Sequence, residues 1–227
     1  MIRVDVEQGS PQWHACRVGI ATMSNGARIL TPKTRKPSSQ QAAYCAELVS
    51  ERLTGRPVDP IDSTWMQRGK EMESDAVAYY EFEKDVECET VGFVIGDSMD
   101  YGCSPDRLVG EDGGLEIKCP SAKNHVSYAL NGIDSKYLAQ VHGCMWLCDR
   151  KWWDILSYNP LIEPTIERIE RDEEYIQSLC GALALFLERL DEACKKMNVP
   201  DDWRNNIHIP DEGDSNGNSY EDSQDGC

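Results

Sequence analysis

One short stretch constrains this chain more than any other: Gly102-Cys103-Ser104-Pro105-Asp106-Arg107-Leu108-Val109-Gly110-Glu111-Asp112-Gly113-Gly114-Leu115-Glu116-Ile117-Lys118-Cys119-Pro120. Leu115 to Cys119 reads as a strand, Tyr101 to Val109 as extended chain leading into it, and Glu111-Asp112-Gly113-Gly114 as the turn between them. Side chains alternate along a strand, so Glu116 and Lys118 share one face and Leu115, Ile117 and Cys119 the other. If the two segments pair, Asp106 comes opposite Glu116 at about 5 Å. Carboxylates that close repel each other, and a cation relieves the repulsion. Oxygen donors with little histidine favour Mg²⁺ or Mn²⁺ over zinc. The plain alternative is a solvated acidic hairpin with one salt bridge. The Pro-Asp ahead of the turn and the apolar opposite face argue against it.

A chain of 227 residues is long enough to bury a core, and one domain is the expectation. No run of about 18 apolar residues suggests a membrane span. Met1-Ile2-Arg3-Val4-Asp5-Val6-Glu7 lacks the apolar core of a secretory signal, so a cytoplasmic location is expected. The ten cysteines include no Cys-x-x-Cys pair and match neither a zinc ribbon nor an iron–sulfur pattern. Reduced thiols are the expectation in that compartment.

The net charge of −17 is unevenly divided along the chain. Residues 1–70 carry ten Lys/Arg against six Asp/Glu, and the acidic excess lies entirely beyond them. Phosphate contacts are therefore expected from the first third. There, Gly9-Ser10-Pro11-Gln12-Trp13 leads into a helix on which Trp13, His14 and Arg17 fall within one turn. Thr22 or Ser24 caps a second short helix, and a helix N-terminus beside an arginine suits an anion. Lys33-Thr34-Arg35-Lys36-Pro37 is a basic loop.

Further on, Gln40 to Thr54 reads as a helix with Tyr44, Leu48 and Leu53 inward, ended by Gly55. Another begins at Ser63 and carries Glu73 among Glu71 and Asp75. Val91 to Ile95 is a strand, Ser135 caps a helix to Cys148 that carries Gln140, and Trp152 to Tyr158 and Thr165 to Glu170 are strands. Asp172 caps a long amphipathic helix with Tyr175, Ile176, Leu179, Leu183, Phe186, Leu190, Cys194 and Met197 on its apolar side. Asp211 to Cys227 has almost nothing to bury and reads as a disordered acidic tail.

The Asp106…Glu116-x-Lys118 constellation resembles the PD-(D/E)xK nuclease superfamily. From about Val6 to Met197 the order of motifs resembles the phage lambda exonuclease family of alkaline recombination nucleases. The likeness is carried by Gln12-Trp13-His14-x-x-Arg17-x-Gly19-Ile20-x-x-x-Ser24, Gly69-Lys70-x-x-Glu73, Cys103-Ser104-Pro105-Asp106, Gly114-Leu115-Glu116-Ile117-Lys118-Cys119-Pro120, Tyr137-Leu138-Ala139-Gln140-Val141 and Ile169-Glu170-Arg171-Asp172-Glu173-Glu174-Tyr175. The resemblance implies an α/β, restriction-endonuclease-like three-layer core with a mixed central sheet flanked by helices. One nuclease domain would span 1–200, with the acidic tail over 201–227. It implies a ring-shaped homotrimer that digests linear double-stranded DNA processively from 5′ to 3′. The products would be 5′-mononucleotides and 3′ single strands for recombination, with a single-strand annealing protein as partner.

Carried over residue by residue, Asp106, Glu116 and the Ile117 carbonyl would hold Mg²⁺, with Mn²⁺ as a substitute and two ions per site, and Glu73 would hold the second metal position or a metal-bound water. Lys118 would orient the attacking water. Arg17, Ser24, Ser104 and Gln140 would bind the terminal 5′-phosphate, Met66 would wedge apart the end base pair, and Arg35 would touch duplex ahead of the site. Arg107 departs from the glycine usual after the aspartate. The rival readings are an endonuclease of the same superfamily and a non-catalytic DNA-end-binding protein.

Overall fold

The structure, a computed structural model, describes residues 1–58 and 64–208, and for 64–71 the backbone alone. In chain order the elements are β1 (Ile2–Val4), α1 (Pro11–Arg17), β2 (Ala21–Thr22), α2 (Gly26–Ile29), β3 (Leu30–Thr31), β4 (Lys36–Pro37), α3 (Gln41–Thr54), α4 (Thr64–Lys84), β5 (Cys88–Glu89), β6 (Phe93–Ile95), β7 (Tyr101–Cys103), β8 (Arg107–Val109), β9 (Gly113–Lys118), α5 (Ala122–Asn131), α6 (Leu138–Cys148), β10 (Trp152–Asn159), β11 (Ile162–Glu170) and α7 (Glu173–Lys196). Single 3₁₀ turns cover Met23–Asn25, Ser135–Tyr137 and Trp203–Asn206.

The central sheet has the order β11-β10-β9-β8-β5. It is mixed: β9 and β10 run parallel, while β10–β11, β8–β9 and β5–β8 are antiparallel. Gly113 and Gly114 begin β9 because the tryptophans of β10 lie over them. A Cβ on Gly113 would sit 2.1 Å from Trp152, and one on Gly114 2.3 Å from Trp153. A second, four-stranded sheet has the order β1-β6-β7-β2.

Alternation along the central strands separates two apolar layers. On one face Ala76 and Tyr80 of α4 pack on Val109, Leu115 and Leu156. On the other, Trp153 and Ile155 meet Val141 and Met145 of α6, with Tyr44 of α3 and Phe186 of α7 behind them. The result is the three-layer α/β arrangement expected from the sequence. Asp172 caps α7 as read, its Oδ1 accepting from the Tyr175 N–H at 3.0 Å. Gly55 closes α3 in the left-handed region.

Several readings need correction. Leu53 is 42% exposed; Val49 and Arg52 take the inward positions on α3. Met197 is also exposed, at the end of α7. Helix α5 was absent from the sequence reading. The basic loop is a hairpin, with Thr31 paired to Lys36 and Arg35 at φ 53° in its turn. The boundary at residue 200 falls too early. Trp203 is buried against Ile20, Phe93 and Ile95, and the His208 N–H donates to the Gly55 carbonyl at 2.9 Å. The acidic tail over 211–227 lies outside the described residues. No disulfide joins the nine described cysteines. No helix among the described residues is long and apolar enough to cross a membrane.

One buried polar junction ties α4 to the sheet. Asp154 is 1% exposed; it accepts from the Tyr80 hydroxyl at 2.7 Å and from Arg168 Nε and Nη2 at 2.8 and 2.9 Å. Arg168 in turn stacks on Trp152 at 3.6 Å. A carboxylate this deep must keep its donors. Tyr80→Phe is therefore expected to lower unfolding free energy by about 1–2 kcal/mol in urea titrations.

Candidate active site

The site is built on the β8–β9 hairpin. Its register sets Arg107 opposite Leu115 and Leu108 opposite Gly114. Continued by one pair, it puts Asp106 opposite Glu116, as the turn glycines led us to expect. Asp106 Oδ2 accepts the Ile117 N–H at 2.6 Å, which pins the carboxylate over β9. Glu116 is 2% exposed. Its Oε1 accepts from Lys118 Nζ at 2.5 Å and from Gln140 Nε2 of α6 at 2.6 Å. Its Oε2 is buried and has no hydrogen-bond partner among the described residues. Lys118 Nζ also lies 4.7 Å above the Tyr137 ring.

These contacts set the charges. Burial, reinforced by the charge of Glu116, pushes the Asp106 carboxyl up to about 8, against the pull of Lys118 and the Ile117 N–H. Burial alone would lower the Lys118 ammonium, but Glu116 and Asp106 outweigh it and hold it above its usual range. Lys118 is therefore a fixed cation at neutral pH.

Beside this hairpin lies the second half of the site. Ser10 caps α1, its hydroxyl accepting from the Trp13 N–H at 3.2 Å, and Pro11 starts the helix. One turn on, the Arg17 guanidinium stacks over the Trp13 ring at 4.1 Å. Its Nη1 donates to Ser104 Oγ at 2.8 Å and its Nη2 to Ser24 Oγ at 3.4 Å. Trp13 Nε1 also reaches Ser104 Oγ, at 3.0 Å. Burial draws the Arg17 guanidinium below its usual range. Among the described residues no carboxylate stands within ion-pair distance of it.

One cavity of about 430 Å³ joins the two halves and is lined by Arg17, Ser24, Ser104, Asp106, Glu116, Lys118 and Gln140, with Gln8, Trp13, Ala27, Lys136 and Tyr137 completing the wall. Its volume falls within the range of small-ligand sites. Seven of the residues singled out in the sequence thus converge. Two others stand apart. Glu73 is absent from the lining and pairs with Arg107, Oε1 to Nη1, at 2.8 Å. Arg35 pairs with Asp172 at 2.7 Å and lies over the Tyr175 ring. Met66 lies outside the residues whose side chains are described. Gln140, read as a phosphate contact, lines the cavity and donates to Glu116. Tyr137 and Gln8 were missed. Gln8 Nε2 holds the Pro105 carbonyl at 2.6 Å, and nothing in its local sequence marks it.

A hard divalent cation fits these donors. Glu116 Oε2 is a buried oxygen with no hydrogen-bond donor among the described residues, and Asp106 is a carboxyl whose surroundings resist its ionisation. Both are oxygen ligands of the kind Mg²⁺ and Mn²⁺ prefer. Among the described residues no three His, Cys, Asp or Glu side chains are gathered around one point for a metal.

The mixed sheet and its carboxylate–lysine hairpin define the class: a nuclease of the restriction-endonuclease-like fold. The chain belongs to the YqaJ-like viral recombinase domain family, whose pattern matches residues 12–151, and the likeness to lambda exonuclease read from the motifs is borne out. It is similar to the alkaline exonuclease LHK-Exo of Laribacter hongkongensis, at 30% identity over 83% of this chain and 96% of that one, with a TM-score of 0.76. The same enzyme in complex with dAMP superposes with a TM-score of 0.75. A phage-related exonuclease from Haemophilus somnus 129PT shares the fold at 16% identity, with a TM-score of 0.66 over 78% of this chain and 96% of that one. The uncharacterized protein ExoD of Escherichia coli (strain K12) is 31% identical over 80 residues, 33% of this chain and 92% of that protein.

The raised Asp106 carboxyl predicts a pH dependence. The folded state holds its proton up to about pH 8, whereas the unfolded chain releases it near 4. The contribution is full below pH 4 and is lost as pH rises through 8. In chelator, the melting temperature of the wild type should therefore fall relative to that of Asp106→Asn between pH 5 and 8. Parallel melting curves across that range would contradict this.

Proposed function

We propose that this chain is an Mg²⁺-dependent exonuclease that degrades linear double-stranded DNA from 5′ to 3′. It releases 5′-mononucleotides and leaves 3′ single strands for annealing. The observation that supports this best is the shared cavity. An arginine with hydroxyl partners and no carboxylate lies at one side, and a carboxylate pair with a fixed ammonium at the other. Arg17 supplies a planar fork suited to a phosphate monoester, and Ser24 and Ser104 add hydroxyl donors. Binding the terminal phosphate there fixes how far the chain enters, so that the first phosphodiester reaches the hairpin. The dAMP complex of LHK-Exo accords with a nucleoside monophosphate as product.

Asp106, Glu116 and the Ile117 carbonyl would hold the first divalent ion, and Glu73 would serve a second. Bound there, the ions supply Lewis acidity at the phosphate and acidify water. The protein's own groups do the rest. Gln140 and Lys118 clamp Glu116 Oε1, so its other oxygen faces the ion position. Lys118 remains protonated; it donates a hydrogen bond and offsets charge on the phosphate, and does not act as a base. Contacts of this kind read the backbone and carry no sequence information. The reading also includes a homotrimeric toroid, an annealing protein as partner, Met66 as wedge and Arg35 as a duplex contact, all from family resemblance. The Arg35 contact would require it to release Asp172.

The test is digestion of linear duplex with phosphorylated or hydroxyl 5′ ends, and of closed circular duplex, with Mg²⁺ or chelator. Linear phosphorylated duplex should be degraded from its 5′ ends, and the circle should survive. Cleavage of the circle would make the chain an endonuclease. Lys118→Ala should lose at least about 10²-fold in rate while still binding DNA. Near wild-type digestion by that variant would remove the assignment. Arg17→Ala should slow phosphorylated ends selectively; equal loss on both ends would remove the phosphate pocket.

A further inference from the structure

The acidic residue assigned to the second ion already has a cation. Glu73 Oε1 lies 2.8 Å from Arg107 Nη1, and the same nitrogen donates to the Asp106 carbonyl at 2.5 Å. The two side chains are 33% and 18% exposed, so water screens the pair only in part. Arg107 opens β8 opposite Leu115, whose side chain faces α4, which carries Glu73. The guanidinium thus stands between the helix and the hairpin and holds Glu73 beside the Asp106 backbone carbonyl. Glu73 is neutralised from within the chain, and no three carboxylates gather for a metal among the described residues.

We propose that Arg107 is a positioning residue that competes with the second divalent ion for Glu73, so that the two cation positions have unequal affinity. The proposal rests on the cation site described under Proposed function and sharpens it. A guanidinium is permanently charged and directional, so an ion can take Glu73 only by displacing it. Both also carry positive charge and repel each other at that distance. The first position uses Asp106 and Glu116, neither of which bonds the Arg107 side chain through its carboxylate. It should be indifferent to the change.

The test is isothermal titration of Mn²⁺ into chelator-treated full-length chain, with Arg107→Ala, Arg107→Gln, Glu73→Gln and Asp106→Asn as variants. Electron paramagnetic resonance of free Mn²⁺ serves as an independent count. The wild type should show one tighter and one weaker ion. In Arg107→Ala and in Arg107→Gln the weaker step should tighten by roughly threefold to tenfold, with the first unchanged. Glu73→Gln should remove the weaker step in every background. A structural salt bridge alone would lower melting temperature on substitution and leave both Mn²⁺ constants where they were. That result, or weaker second binding in both Arg107 variants, overturns the proposal while leaving the first site standing. Mn²⁺ binding that is unaffected by Asp106→Asn overturns the cation site itself and the proposal with it.

Discussion

The architecture turns on two carboxylates, one buried and one half-buried, held face to face across a hairpin with the Lys118 ammonium beside them. Asp106 and Glu116 cannot move apart, because the β8–β9 register fixes their backbones and the Ile117 N–H holds one of them in place. Glu116 is closed off from solvent at 2% exposed, while Asp106 is half-buried on the cavity wall. Lys118 balances one charge. The surplus appears as a raised Asp106 carboxyl and as a Glu116 oxygen that accepts no hydrogen bond from the described residues. Folding alone gives no reason to retain such a pair, because burying an underneutralised charge is costly. A cation supplied from solution would relieve the cost.

The surrounding layers follow from this. Glu116 stays in one orientation because α6 presents Gln140 to it, and α6 is held on the sheet by Val141 and Met145. The α4 layer closes the opposite face, where the Tyr80–Asp154–Arg168 junction fixes the helix that carries Glu73. Strand β7 runs straight into Ser104, so one segment supplies the arginine's hydroxyl partner and, two residues later, the aspartate. Anion pocket and carboxylate pair therefore sit at a separation fixed by the Ser104-Pro105-Asp106 backbone. That shared rigidity is what the proposed reading would use to seat one terminal phosphate and present the next bond.

Much of the site was legible because it depends on local rules. Strand alternation places Glu116 and Lys118 together, a glycine turn pairs Asp106 with them, and helix periodicity brings Trp13 and Arg17 into contact. What the sequence hid depends on partners that are distant in the chain. Helix α5 escaped notice because it has no inward apolar stripe. Val126 and Leu130 are exposed, and the buried residue is His125, whose ring nitrogens contact Ser157 Oγ at 2.8 Å and the Glu163 carbonyl at 2.9 Å. Leu53 was assigned inward on hydrophobicity, yet Arg52 takes that place, donating to the Gly19 carbonyl and lying over the Trp203 ring. Trp203 itself follows a change to polar composition that looked like the end of the domain. The destination of Gln140 depends on where Glu116 Oε1 points, and the Arg107–Glu73 pair joins residues 34 positions apart.

The most direct measurement is anomalous diffraction from crystals of the full-length chain grown with Mn²⁺. A peak within bonding distance of an Asp106 oxygen and of Glu116 Oε2, on the side away from Lys118 and Gln140, is the result this account requires. Well-ordered carboxylates with the manganese bound elsewhere, and Glu116 Oε2 bonded instead to a protein donor, would contradict it.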